Sequence, residues 1–467
     1  MSRLVAVSNR ISLPRRGAAP GGLAVGLAAA MRARGGLWFG WSGEVVESPA
    51  QLPETARRDG IGYATIDLSR AEHDEHYLGF CNGVLWPVFH YFPDNYRHRE
   101  QDYERYLAVN QRFASALQPL LRPDDVIWVH DFHLLPLAQR LRAGGVTQPI
   151  GLFLHIPFPH VELLRVLPVY GELLGAMLDY DLVGFQTMSD LEAFRAAVVH
   201  LWGPEALVSE DEIQVGTRRL RAAVFPIGVD VDAIQAEVKR ARPAETCRRM
   251  VAGMLGRKLV IGVDRLDYSK GLVERFGAYE RFLETHPENQ GRVTFLQIAP
   301  LSRPDLHAYA SIRSELEQAT GRTNGRFADT DWTPIRYLNR NFPHDVLMAF
   351  MNCAQVGIVT PLRDGMNLVA KEFVAAQDPD DPGVLVLSTL AGASRELTGA
   401  LQVNPYDRRG MAHAIQQALN MPLDERRARH AGMLQTLRRS DIHAWYSRYL
   451  AALAATRDAN LPAALSA

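Results

Sequence analysis

The sequence predicts an α/β protein of two domains, each with a parallel sheet at its centre. Three features carry that expectation. Short apolar runs at Leu4–Ser8, Val126–Val129, Ile150–Leu154, Leu182–Gly184 and Val224–Phe225 alternate with stretches of helical periodicity, the pattern of repeated strand–helix–strand units. Polar residues stand directly after these runs, where an open α/β sheet collects its ligands. After a polar, helix-forming stretch from Asp230 to Arg257, interrupted by Pro243, the pattern begins again at Leu259–Val263. The boundary is placed near residue 235, giving a first domain over 1–235, a second over 236–440, and a closing helix within 441–467 expected to pack back toward the first.

A chain of 467 residues has room for two or three domains, and 47% hydrophobic with 22% charged residues is a globular balance. A net charge of -1 argues against a dedicated nucleic-acid surface. Cys81, Cys247 and Cys353 lie far apart with no CxxC pair, which argues against a disulfide framework or a zinc site and for a reducing, cytoplasmic setting. The apolar run in MSRLVAVSNR is too short for a signal peptide, and no window approaches the roughly 18 apolar residues of a membrane helix. A soluble protein with no membrane partner is expected.

In the first domain, Leu4–Ser8 is followed by Asn9 and Arg10, and a guanidinium at a strand end suits a phosphate dianion. Gly21 and Gly22 precede the apolar helical run Leu23–Met31; lacking Cβ atoms, they either admit a phosphate or sugar close to the backbone or simply make a turn. Residues 37–99 are rich in aromatics, most of them core, from which Tyr77 and Trp86 are held back as a hydroxyl donor and a flat wall for a sugar. Tyr106, Val109, Phe113, Leu117 and Leu120 make one helical stripe, which is scaffold. The next two strands end in His130–Asp131 and in His155. A satisfied structural histidine competes here with a functional one.

In the second domain, Leu259–Val263 ends in DRLDYSKG, where Arg265 and Lys270 flank an acidic turn and Gly271 leads into a helix. This is not a Walker loop. Two cations beside a helix start still make an anion site, the alternative being a surface salt-bridge cluster with Asp267. Thr294–Ile298 ends in APLSRPD, which sets Arg303 beyond a strand end. The stretch QVGIVTPLRDGMNLVAKEFVAAQ, residues 355–377, reads as a buried strand, a tight turn with Pro361, Asp364 and Gly365, and a helix from Asn367. The backbone N–H groups of Met366, Asn367 and Leu368 are the expected first-turn donors, aimed at an anion such as a diphosphate. Glu372 lies too deep to cap that helix, and is either a solvated residue or an acceptor for the two hydroxyls of a ribose.

Taken in order, SNR, GGLAVG, WFGWSGE, LWPVFHY, VIWVHDFHLLP, FLHIPFP, GFQT, PIG, RLDYSKG, IAPLSR, LRDGMNLVAKEFVAAQ and NPYD resemble the trehalose-6-phosphate synthase family across nearly the whole chain, residues 203–222 and the C-terminal tail matching least. The resemblance implies a GT-B architecture, with two Rossmann-like domains whose parallel sheets face a central cleft. It further implies a retaining transferase that moves glucose from a nucleotide sugar, typically UDP-glucose, to glucose 6-phosphate, giving α,α-trehalose 6-phosphate. Carried over by position, Gly22, Arg265, Lys270, Phe342, Asp364, Gly365, Met366, Asn367, Leu368, Val369 and Glu372 look like the donor site. Arg10, Tyr77, Trp86, Asp131 and Arg303 look like the acceptor site, and His155 faces the transferred sugar. Arg265, Lys270, Asp131, His155 and Asp364 are the catalytic candidates.

The cations already supply charge for a departing diphosphate and no DxD pair is present, so neither metal nor cofactor is expected. Retention through a carboxylate nucleophile would draw on Asp131 or Asp364, whereas the family resemblance points to front-face attack. Three rivals stand beside this: a related transferase with another phosphorylated acceptor such as glycerol 3-phosphate, a phosphorylase-like enzyme, and a non-catalytic regulatory paralogue. The last should lack Arg265, Lys270 or Glu372, all of which are present. The nucleotide base and the oligomeric state, monomer or homo-oligomer, stay open.

Overall fold

The computed structural model describes residues 2–11, 22–301 and 307–459. It divides into two compact units, one running to Ile227 and taking in the closing helix from Ile442, the other spanning Gly228–Asp441. The division thus falls a few residues before the expected 235. The reason is the helix Val231–Ala241, which buries Val231, Ile234 and Val238 and packs on the helices His344–Asn352 and Leu368–Ala376 of the second unit. Among the described residues, no helix is long and apolar enough to cross a membrane.

The first unit is built on strands β1 (Leu4–Arg10), β2 (Gly36–Val46), β3 (Glu54–Arg58), β4 (Ile61–Ser69), β5 (Val126–His130), β6 (Ile150–Phe153), β7 (Leu182–Phe185), β8 (Glu212–Val215) and β9 (Arg218–Val224). They form one sheet in the order β3-β4-β2-β1-β5-β6-β7-β9-β8. All neighbours pair parallel except the edge hairpins β3–β4 and β8–β9. Strands β5, β6 and β7 are buried along their whole length, as expected for parallel strands covered on both faces.

The closing helix Ile442–Ala459 completes this unit. Trp445, Tyr449 and Leu453 are fully buried; Trp445 and Tyr449 each pack 5.0 Å from Trp128 of β5. A Cβ added at Gly184 of β7 would sit 2.7 Å from the Tyr449 ring, and one at Gly151 of β6 would sit 2.4 Å from its hydroxyl. Both glycines therefore serve close helix–sheet approach.

The second unit holds β10 (Lys258–Val263), β11 (Val293–Ile298), β12 (Ile335–Leu338), β13 (Val356–Val359), β14 (Val384–Ser388) and β15 (Leu401–Val403). The order is β12-β11-β10-β13-β14-β15, every pair parallel. The chain winds outward on one side of β10 and then returns to start again at β13 on the other, so the order reverses between β10 and β13. In the first unit the corresponding reversal lies between β1 and β5. Ligands of open α/β sheets bind beyond the carboxyl ends of the strands flanking such a reversal. Arg10 and Asp131 stand at the first of these points; Arg265, Lys270 and Asp364 stand at the second.

Candidate active site

At the reversal in the second unit, two turns are locked together. Asp267, fully buried, accepts hydrogen bonds from Ser269 N at 3.0 Å, Ser269 Oγ at 2.9 Å and the Tyr309 hydroxyl at 2.9 Å. It is a structural carboxylate inside the turn, and the surface salt-bridge alternative falls. Gly271 adopts φ 62, and an added Cβ would stand 2.3 Å from the Thr360 carbonyl oxygen, so only glycine lets the two turns meet. Leu362 N donates to Ser269 O at 2.8 Å. Beneath them lies the buried guanidinium of Arg275. It donates to Thr360 Oγ1 at 3.0 Å, Asp264 Oδ2 at 2.6 Å, Gln297 Oε1 at 2.9 Å and Lys270 O at 3.3 Å. One side chain thereby ties the ends of β10, β11 and β13 to the Lys270 turn.

On that frame Lys270 Nζ lies 2.5 Å from Asp364 Oδ2, which also accepts from Asn367 Nδ2 at 3.0 Å. Asp364 is itself fastened by its backbone to Leu390 O and Gly392 N, each at 3.2 Å. The helix begins one residue later than the sequence suggests, at Leu368. Asn367 is its cap, at φ 75, with its side chain accepting from Ala370 N. The carbonyl of Met366, buried in the turn beside the buried Gly365, accepts from Ala393 N at 2.8 Å. With the helix starting at Leu368, its first-turn N–H groups begin with those of Leu368 and Val369, both half-buried, rather than with Met366 and Asn367.

Arg265 stands exposed after β10. Phe342 lines a cavity of about 420 Å³ with Leu296, Leu338, Arg336 and Arg340, and the Arg340 guanidinium lies 4.4 Å over its ring. Glu372 is half-buried, so it is not the solvated helix residue of the alternative. Its Oε1 lies 3.3 Å from His344 Nε2, whose Nδ1 is 2.6 Å from Glu237 Oε2. Burial works against a charge on this imidazole, yet the hydrogen bonds it donates to Glu237 and Glu372 outweigh it and push the His344 pKa up to about 10.

In the first unit the expected residues fall into two groups of contacts, one around Tyr77 and one around Asp131. Arg10, exposed at the end of β1, sets its guanidinium 5.5 Å from the centre of the Trp41 ring. Trp41 lies 5.6 Å from Tyr77, and Tyr77 stacks 6.0 Å from His133. Tyr77 sits on the π-helical segment Glu72–Leu85, a winding common at functional sites. Asp131 is held at φ 74, and its Oδ1 accepts from His155 N at 3.2 Å. His155 Nε2 lies 3.1 Å from His130 Nδ1. Burial lowers the pKa of both rings, His155 to about 3, so one neutral imidazole donates to the other.

Trp86 is buried, 5% exposed, with one face stacked 4.0 Å from His90, so it is not an open wall. Gly22 opens the helix Gly22–Arg34. Arg303 lies outside the described residues. Sequence reasoning missed His130 as the partner of His155, Arg275, and His344 with Glu237. The repeat of histidine at successive strand ends hinted at the first; nothing local marks the others.

The profile of glycosyltransferase family 20 matches residues 12–455. The chain belongs to that family. It is therefore a glycosyltransferase, and its two parallel-sheet units are those of the GT-B fold. A Klebsiella pneumoniae protein named trehalose-6-phosphate synthase is 50% identical over 451 residues, 96% of this chain and 94% of its own. An α,α-trehalose-phosphate synthase (UDP-forming) from Burkholderia xenovorans, solved with glucose 6-phosphate, superposes with a TM-score of 0.94 at 50% identity, covering 97% of this chain and 100% of that one. An E. coli structure bound with UDP-2-fluoro glucose superposes with a TM-score of 0.92 at 47% identity, covering 97% and 99%.

Proposed function

We propose that this family 20 glycosyltransferase moves glucose, with retention, from UDP-glucose to the anomeric hydroxyl of glucose 6-phosphate, releasing UDP and α,α-trehalose 6-phosphate. The observation that carries the donor half is the Lys270–Asp364 pair, set at the strand-order reversal on a turn braced by Arg275 and beside a helix N-terminus. Relatives at about half identity, solved with glucose 6-phosphate and with a UDP-glucose analogue, support the substrate pair.

As the bond from the anomeric carbon to the diphosphate breaks, negative charge grows on the leaving oxygen. Lys270, Arg265 and the N–H groups of Leu368 and Val369 meet that charge, which makes their contribution largest in the transition state. These groups answer the diphosphate without a metal. Phe342 borders the base, Glu372 takes the ribose hydroxyls, and Asp364 with Gly365, Met366 and Asn367 holds the transferred glucose. Gly22 adds a donor-side approach without a Cβ. On the acceptor side Arg10 and Arg303 take the phosphate and Tyr77 lends its hydroxyl, with Trp86 nearby. His155, neutral and fixed by His130, donates to or accepts from a sugar hydroxyl. Asp131 positions the acceptor, and attack comes from the face the phosphate leaves, with the departing oxygen taking the acceptor proton.

The test is to incubate the protein with glucose 6-phosphate and, separately, UDP-, GDP- and ADP-glucose without added metal, following the product by proton NMR. An α,α-1,1-linked phosphorylated disaccharide formed best from UDP-glucose is expected. Nucleotide release without that disaccharide would overturn the acceptor assignment, and a covalent glycosyl adduct on Asp131, seen by mass spectrometry, would overturn its positioning role.

A further inference from the structure

The imidazole of His344 joins three helices of the second unit. It opens the helix His344–Asn352 and reaches Glu237 on Val231–Ala241 with one nitrogen and Glu372 on Leu368–Ala376 with the other, at 2.6 and 3.3 Å. Ionised carboxylates only accept, so both ring nitrogens must donate, which an imidazole does only when protonated. Two further contacts tie Val231–Ala241 and the residue after it to the helix His344–Asn352. Arg240 pairs with Asp345 at 3.2 Å, and Arg242 donates to Asn352 at 2.9 Å. His344 is thus tied to the helix that carries Glu237, and its 2.6 Å contact with Glu237 limits its freedom to follow Glu372 if that side chain turned away.

A carboxylate on the first turns of a helix has rotamers that swing its oxygens over several ångströms. Left to itself, Glu372 would lose rotamer freedom on binding a ligand, a cost that a prior hydrogen bond removes. Here Oε1 is already engaged, and among the described residues no hydrogen bond reaches Oε2. We propose that His344 is a positioning residue for the donor: braced by Glu237, it fixes Glu372 so that the carboxylate meets the two hydroxyls of the donor's ribose. This rests on the proposed role of Glu372 as the ribose contact. His344 touches no substrate itself. Its effect falls on nucleotide affinity and on discrimination between ribose and deoxyribose.

The experiment compares UDP-glucose with its 2′-deoxyribose analogue as donors at saturating glucose 6-phosphate, in the wild type and in Glu372→Ala, His344→Ala, His344→Gln and the double variant. Loss of one charged hydrogen bond predicts a fall in the ribose-to-deoxyribose ratio of kcat/KM by roughly 10- to 100-fold in Glu372→Ala. His344→Ala should lose a large part of that ratio, chiefly through a raised KM for the nucleotide sugar, with the KM for glucose 6-phosphate unchanged. His344→Gln, which keeps a donor, should recover part of it, and serves if His344→Ala fails to fold. In the double variant the histidine change should add nothing to the ratio. A full ratio in both His344 variants alongside a collapsed one in Glu372→Ala would overturn the positioning role and leave the ribose contact standing. An unchanged ratio in Glu372→Ala would overturn the ribose contact and the inference with it.

Discussion

Replacing Arg275 by methionine removes a side chain that joins the ends of β10, β11 and β13 to the Lys270 turn. Its guanidinium has no exposed surface, and its partner Asp264 has a side chain 1% exposed. Burial already pushes the Asp264 carboxyl up from its ordinary value, with Arg275 the leading force in the opposite direction. Breaking a buried pair by removing one partner costs about 3–5 kcal/mol. In domains of about 150–250 residues each kcal/mol moves the midpoint by about 2–4 °C, so the expected drop in Tm is roughly 6–20 °C.

Below that temperature the folded variant should still lose rate, because Thr360 and the Lys270 carbonyl both lose their anchor. The pH dependence has a definite sign. With its cation gone, Asp264 carries a raised folded-state pKa, so the folded state binds a proton more readily than the unfolded chain and the deficit shrinks as pH falls. Thermal unfolding by circular dichroism from pH 5 to 8 reads all of this. Replacing both partners, Arg275→Met with Asp264→Leu, should recover much of the loss, since an apolar pair leaves no bare charge. A drop below about 3 °C in the single variant, or a double variant no better than the single one, would refute the argument.

Three further outcomes are expected at the site. Lys270→Ala should cost about 100- to 1000-fold in kcat with a smaller fall in Tm than Arg275→Met, because the Lys270–Asp364 pair keeps some exposure and Asp364 keeps Asn367 and its backbone ties; a loss below tenfold would remove Lys270 from the transition state. Arg10→Ala should raise the KM for glucose 6-phosphate by roughly 10- to 100-fold while leaving slow hydrolysis of the donor unaltered; equal loss of both activities would contradict its acceptor role. The stability that wild type holds over His344→Gln should be complete below pH 6.5, the ordinary histidine value, and lost as pH rises toward about 10, the raised value in the folded state. Its slope should approach about 1.4 kcal/mol per pH unit, read from urea unfolding across that window, with a flat difference excluding the protonated bridge.

The residues legible in the sequence are those whose place depends on local chain direction. A buried strand must end, and the residues just past its end are its immediate neighbours in the chain, so Arg10, Asp131, His155, Lys270 and Asp364 could be named from apolar runs alone. Two strands of the first sheet, β2 and β4, were hidden because they lie among aromatics that read as general core. A signal for the β3–β4 hairpin was nevertheless present. Asp59 and Gly60 take φ 50 and 79 between Arg58 and Ile61, the two-residue turn that an Asp-Gly pair favours. What could not be read is the partnering across long separations. Nothing near His344 announces Glu237, 107 residues away, and a helical arginine such as Arg275 reads as solvated until its neighbours are known. Asp267 left a surface cluster standing as an alternative for the same reason: an acid between two cations is compatible with one, and its burial depends on Tyr309 of a distant helix.

The closing helix carries a consequence for how the molecule is made. Ribosomal synthesis delivers the nine strands of the first sheet long before Trp445, Tyr449 and Leu453, which fill the face of β5, β6 and β7 around Gly151 and Gly184. Until then that face offers an unfilled apolar groove, while Gly228–Asp441 emerges as an uninterrupted segment able to close on its own core. The order of folding should therefore run against the order of the chain, with the second-born unit maturing first and the first-born unit waiting, exposed to chaperones, for the final helix.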